Sequence, residues 1–415
     1  VKEKGEIHID DLSRPRLPWQ MKVADLVAAP IAHYHGALAA DALLAVAAER
    51  ERMSDFGAPD FRVPLDVLLR SLDEEARLSS VGRLVVREST LHLLRNRLRL
   101  EALIKRHPEI LAEKIDAPLI VMGLPRTGTT HLQMLLALHP ALRSLPLWEA
   151  IEPIAPASER ANGKADPRIA RARAFTQQYD FVIPHMRAMH EIGPTLPHED
   201  IQLLAMDFRS FIFEVSYRVP SYVRWYRTND QTPGYAYLKR VLQALQWLRG
   251  PRRWVLKTPM HLEQLVPLFT VFPDARVIQT HRDPVDVTAS FCTMVSYGRR
   301  LASREIDVFE LGRHWARRIE EMLTASVRDR ARVPAGSVLD LKFDDFVKDN
   351  LGSVARVLSF AGLDLVPEAR RAMERYNAER PRYAHGRIAY RLEDFGIDAA
   401  ERRAAFRAFP QLSAV

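Results

Sequence analysis

Leu119-Ile120-Val121-Met122-Gly123-Leu124-Pro125-Arg126-Thr127-Gly128-Thr129-Thr130 is the stretch on which the fold of this chain turns. Its first four residues form a short apolar run between Pro118 and Gly123, which reads as a buried strand. The run from about Thr129 to Leu138 reads as a helix, stopped at His139-Pro140. Glycines in the connecting loop allow a tight turn and close backbone approach to a ligand. The first turn of the helix offers unpaired N–H groups and the positive end of its dipole. Strand, glycine loop and helix N-terminus together make a site for an anion.

Further along, Trp254-Val255-Leu256, Val277-Ile278 and Val338-Leu339 repeat the pattern of short apolar run, polar loop and helical segment. Strands alternating with helices predict an α/β fold with a parallel sheet flanked by helices. In such sheets ligands bind beyond the carboxyl ends of the strands. Residues 1–112 read instead as a helical N-terminal extension. Leu91, Leu94, Leu98, Leu103 and Ile104 recur at helical spacing, with arginines expected on the other face and a stop at His107-Pro108. Residues 113–415 then form the main domain, ending in a helical segment.

The glycine loop is close to the P-loop pattern GxxxxGK[ST], but Thr129 stands where the lysine belongs. That argues against a nucleoside-triphosphate kinase or hydrolase, which needs the lysine and a magnesium ligand. Arg126 supplies a cation inside the loop instead. Lys257 ends the second run, in a chain with ten lysines among its 60 basic residues, and can point a compact charge into a cleft. In the third segment Asp283-Pro284 reads as an N-cap and first helical residue. Arg282 lies just before it and Ser290 two turns into the helix, a spacing from which both can grip one phosphate.

These three motifs, in this order, resemble the PAPS-dependent sulfotransferases, where PAPS is 3′-phosphoadenosine 5′-phosphosulfate. The likeness is greatest to the bacterial group sharing a PRSGTT-type loop with the tyrosylprotein sulfotransferases, and it covers roughly residues 117–365. The resemblance implies a P-loop-like fold and transfer of a sulfuryl group from PAPS to an acceptor hydroxyl. It implies that Arg126, Thr127, Gly128, Thr129 and Thr130 hold the 5′-phosphosulfate, that Arg282 and Ser290 hold the 3′-phosphate, and that Lys257 is the catalytic lysine. Phe343 stands where the family has a tyrosine. The C-terminal RKGxxG loop of cytosolic sulfotransferases is absent, so Arg382, His385 and Arg387 read either as the residues that close over the nucleotide or as plain surface; the KxxxTVxxxE dimerisation motif is absent too. A non-catalytic nucleotide-binding module is the rival reading, and the retained Lys257 argues against it.

The reaction also needs a base for the acceptor proton. Glu149, in "LPLWEA", is the expected base, with His261, four residues after Lys257, the second candidate. His198-Glu199-Asp200 is a third cluster, read rather as a helix N-terminus. No metal-ligand pattern is present, so no metal is expected. Phe175, Tyr179, Phe181, Phe208, Phe211, Phe213, Tyr217, Tyr222, Trp225, Tyr226 and Trp247 crowd one segment of a chain only 8% aromatic. They read either as helix core or as the lining of a pocket for a partly apolar small-molecule or lipid acceptor.

Composition is that of a soluble protein, 47% hydrophobic and 27% charged. The net charge of +8 suits anionic ligands, but no basic block of the nucleic-acid type occurs. The lone Cys292 excludes an intrachain disulfide and suits a reducing, cytoplasmic setting. "VKEKGEIHID" has no apolar signal core, and the apolar stretch 23–48 is broken by Asp25, His33, His35 and Asp41, so no spanning helix is expected.

Overall fold

Five parallel strands carry the fold in a computed structural model, which describes residues 6–156, 159, 166–380 and 384–406. Seven strands are numbered here in chain order: β1 (Glu6–Ile7), β2 (Leu119–Gly123), β3 (Leu142–Ser144), β4 (Arg253–Lys257), β5 (Arg276–His281), β6 (Val338–Lys342) and β7 (Arg387–Ile388). The main sheet has the order β3-β4-β2-β5-β6. β2 is central, with Val121 opposite Lys257 on one side and opposite Ile278 on the other. The four strands read from the sequence are all present; the short β3 carries too little apolar character to announce itself.

Side chains alternate across the sheet, as the two-residue period of a strand requires. Leu119, Val121, Val255, Ile278 and Leu341 pack into a core on one face, with the helices Thr129–Leu136 and Asn350–Phe360. Ile120, Met122, Trp254, Leu256 and Val277 enter a larger core on the other face. Leu43, Leu65, Leu91, Leu94 and Leu98 of the N-terminal helices belong to that same core, so residues 19–106 pack against the sheet.

The helix Ser80–Arg106 starts where Ser79 accepts a hydrogen bond from the Gly82 N–H, and it buries the expected leucine stripe. Its arginines depart from the expected outer face. Arg97 and Arg99 are almost fully buried. Arg97 pairs with Asp207 at 2.9 Å and lies 4.0 Å from the Phe61 ring; Arg99 pairs with Glu51 and Glu152. Paired carboxylates make burial of these cations tolerable.

A long, largely helical excursion joins β3 to β4, and its residues from Ile201 to Leu245 contribute to the larger core. At the far end of the chain β7 pairs with β1 in parallel, tying the C-terminal segment to the N-terminus. No helix among the described residues is long and apolar enough to cross a membrane.

Candidate active site

The loop after β2 turns through backbone conformations that side chains rarely adopt. Gly123 has φ 153°, and a Cβ there would lie 2.2 Å from the Thr280 hydroxyl on β5, so only glycine fits. Gly128 has φ 86° and is the N-cap of the Thr129–Leu136 helix. Arg126, not a glycine, also has positive φ, at 70°. Such strain in a non-glycine residue concentrates at functional sites. Thr127 fixes the turn: its buried hydroxyl lies 2.7 Å from the Leu124 carbonyl and 2.6 Å from the Thr280 hydroxyl. The loop is thus anchored to the neighbouring strand, with the helix N-terminus open toward a cavity.

That cavity has a volume of about 1700 Å³. Arg126, Gly128, Thr129, Thr130 and Arg282 line it, together with His190, His198 and Glu199 from the long excursion. Lys257 lies just beneath the wall at the end of β4, its side chain almost fully buried. Its Nζ donates to Glu199 Oε1 at 2.5 Å and to the Thr130 hydroxyl at 3.2 Å. Arg126 donates to the Met189 carbonyl and, at 3.4 Å, to the Tyr390 hydroxyl, while its buried Nε has no partner. Arg282 leaves β5 beside the loop, donates to the Arg126 carbonyl at 3.0 Å and stacks 4.6 Å from the Phe343 ring. Phe343 also packs against Gly128, so the residue standing in place of a tyrosine serves as a platform for Arg282 and the loop.

The expected N-cap at Asp283 is present, accepting from the Val285 N–H, with Pro284 first in the Pro284–Arg299 helix. Ser290 sits on that helix, buried, with its hydroxyl donating to the Val287 carbonyl at 3.2 Å. Asp286 and Ala289 line the cavity from this helix; Ser290 does not.

Neither expected base reaches the cavity. Glu149 is buried between two guanidinium groups, Arg143 at 2.8 Å and Arg249 at 2.9 Å. His261 is fully buried behind β4, its Nδ1 2.7 Å from the Tyr235 hydroxyl and its Nε2 3.1 Å from Asp200. The carboxylate at the cavity is Glu199, from the tripeptide that reads in the sequence as a helix N-terminus. It is one: Asp200 is the N-cap of the Ile201–Ala205 helix. Its side chain, however, caps nothing and accepts the Lys257 backbone N–H at 2.9 Å. Asp200 therefore clamps the chain that carries Glu199 to the end of β4. The signal in the sequence was the His198-Glu199-Asp200 cluster, with two adjacent acids in a non-helical stretch ahead of the Ile201–Ala205 helix.

The electrostatics follow from burial and from Lys257. Burial pushes the Glu199 carboxyl up, but the charge and hydrogen bond of Lys257 outweigh it and hold the group below its ordinary range. Burial, reinforced by Lys257, pushes His190 down to about 3. Burial likewise pushes His198 down to about 4. Both rings are neutral at pH 7, with centroids 6.3 Å apart.

His385 and Arg387 also line the cavity, on the segment that β7 ties to the N-terminus; His385 lies 3.9 Å from Glu191 and Arg387 3.6 Å from Glu6. Arg382 lies outside the described residues. The aromatic segment divides. Phe208, Tyr222 and Tyr226 are core, Phe175, Tyr179 and Tyr217 line the cavity, and the buried Phe211 and Phe213 belong to both.

A strained glycine loop open to a cavity, the nearby cations Arg126, Lys257 and Arg282, and the buried pairing of Lys257 with Glu199 on an α/β sheet suit transfer of an anionic group. A sequence model described as the sulfotransferase family matches residues 118–368, and the chain belongs to that family. It is similar to the crystal structure of sulfotransferase STF1 from Mycobacterium tuberculosis, with 31% identity and a TM-score of 0.78 over 89% of this chain and 99% of that one. It is also similar to sulfotransferase STF9 from Mycobacterium avium, with 28% identity and a TM-score of 0.79 over 90% and 96% of the two chains. No curated protein matches its sequence. The chain is a transferase that moves sulfuryl groups.

Proposed function

We propose that the chain transfers the sulfuryl group of 3′-phosphoadenosine 5′-phosphosulfate to the hydroxyl of a partly apolar small molecule or lipid. The observation that carries this reading is that one cavity joins an anion loop, the Lys257–Glu199 pair and an aromatic wall.

The loop N–H groups, Thr129, Thr130 and Arg126 suit the 5′-phosphosulfate, and Arg282 on its Phe343 platform suits the second phosphate. Ser290 joins that second site only if its hydroxyl turns away from Val287. The acceptor oxygen attacks sulfur in line. As the O–S bond forms, the bond from sulfur to the bridging oxygen breaks, and its electron pair stays on the 5′-phosphate.

Glu199 is the base in this scheme, in place of Glu149 or His261. It takes the acceptor proton as Lys257 turns its charge toward the departing oxygen. The two steps help each other. With Lys257 drawn away, burial alone acts on Glu199, and its affinity for a proton rises when the proton must be taken. The lysine stabilises a charge that grows only in the transition state.

The test is product detection by mass spectrometry, with this donor and a panel of acceptors. Sulfated long-chain, sterol-like or polyketide alcohols are expected. Turnover confined to small polar sugars or acidic peptides would overturn the acceptor assignment.

A further inference from the structure

We propose that the outward face of the Trp19–His35 helix docks on an anionic lipid surface and sets the mouth of the cavity against it. The acceptor delivered there rests on the function proposed above; the docking does not.

A surface helix normally buries its large apolar residues and exposes its charges. This helix does the reverse. Trp19, Val23, Leu26, Val27 and Ile31, spaced to share one side, are exposed, with Leu26 at 76%. The small Ala28 and Ala32 are buried against the rest of the fold. Soluble proteins rarely leave so continuous an apolar stripe in water without a use for it.

Charge selects the occupant. The helix carries one acid, Asp25, and it is turned inward, accepting the Val81 N–H at 3.0 Å and pairing with Arg304. Lys22 is exposed on the same helix; Arg14, before it, lies 4.0 Å from the exposed Glu305 and adds no net charge there. An apolar stripe with a tryptophan at its start, a lysine beside it and its acid withdrawn suits a helix lying in a bilayer interface. It complements anionic headgroups.

Continuity with the cavity gives the docking a purpose. Met21 and Ala24 of this helix line the cavity, as do Val81 and Val85 of the helix packed against it. Val85 and Phe175 are both cavity-lining and exposed. The stripe therefore borders the cavity lining, with Val27 one turn from Ala24, and docking brings the cavity near the bilayer.

The experiment is co-sedimentation of the full chain with vesicles of phosphatidylcholine containing about one-quarter phosphatidylglycerol, compared with pure phosphatidylcholine. Wild type should bind the anionic vesicles, with a blue shift in emission that Trp19→Phe removes. Leu26→Glu with Val27→Glu should weaken binding at least about tenfold, and Lys22→Glu should weaken it on anionic vesicles alone. These positions are exposed, so thermal melting, binding of adenosine 3′,5′-bisphosphate and turnover of a short water-soluble alcohol should stay at wild-type values. Wild type left in the supernatant would overturn the proposal. So would a concentration-dependent dimer that Leu26→Glu disperses while vesicles go unbound, since the face would then belong to a second copy. Vesicle binding without sulfation of any apolar alcohol would sustain the docking and sink the acceptor reading instead.

Discussion

Exchanging Glu199 for glutamine removes the proposed base while keeping its size. The side chain lies 2.5 Å from the Lys257 nitrogen and faces the cavity, so Glu199→Gln deletes a charge at the reacting centre and can no longer take a proton. A positioned general base contributes about a hundredfold to ten-thousandfold. The fall in kcat should therefore be at least about a hundredfold, or about 2.7 kcal/mol on the barrier. Donor affinity should stay nearly unchanged, because the anion sites are cationic and do not include this carboxylate. Glu149→Gln is the matched control. That carboxylate is buried between Arg143 and Arg249, so its loss should act on stability. Breaking a buried pair costs about 3–5 kcal/mol, and the lower end applies because the Arg249 side chain is 40% exposed. The assay is initial rate at saturating donor, with urea unfolding and product calorimetry on each variant. Full kcat in Glu199→Gln, or a hundredfold loss in Glu149→Gln without lost stability, would refute the assignment.

Other outcomes follow from the same geometry. Arg282→Ala should weaken binding of adenosine 3′,5′-bisphosphate by about ten- to a hundredfold, the worth of a charged hydrogen bond; Phe343→Ala should weaken it less, and calorimetry reads both. Asp200→Asn should lower kcat and leave donor affinity in place, because Asp200 touches the backbone of Lys257 and not the anion loop; unchanged kcat would remove its positioning role. Lys257→Met should move the acid limb of the rate profile to higher pH, since burial then acts on Glu199 without its opposing charge. His190 is held at about 3 in the fold against about 6.5 in the unfolded chain, so the unfolded state binds more protons between those values. Stability should therefore rise with pH across that window, and His190→Asn should flatten the slope of unfolding free energy against pH.

Much of the fold was legible because it rests on local chemistry. A strand reads as an apolar run, a glycine loop as a break, and Asp283-Pro284 as a helix start; each is dictated by residues adjacent in sequence. The convergence of Arg126, Thr130, Lys257 and Arg282 was likewise legible, since each stands near the end of such a run and a parallel sheet gathers those ends in one place. The base was not. Glu199 reaches Lys257 through a helical excursion of about a hundred residues between β3 and β4, whose path no local pattern sets. Glu149 has the right residue type near the right place, but two arginines distant from it in space claim it. The buried Arg97 and Arg99 failed for the same reason: helical spacing shows which side a residue faces, not whether a carboxylate waits there.

The most direct test of donor use is calorimetry of the full chain with adenosine 3′,5′-bisphosphate in the presence of a chelator, beside ATP with magnesium. Bisphosphate should bind with chelator present, more tightly than ATP, and Arg282→Ala should abolish the preference. Binding that requires magnesium and favours ATP would contradict it.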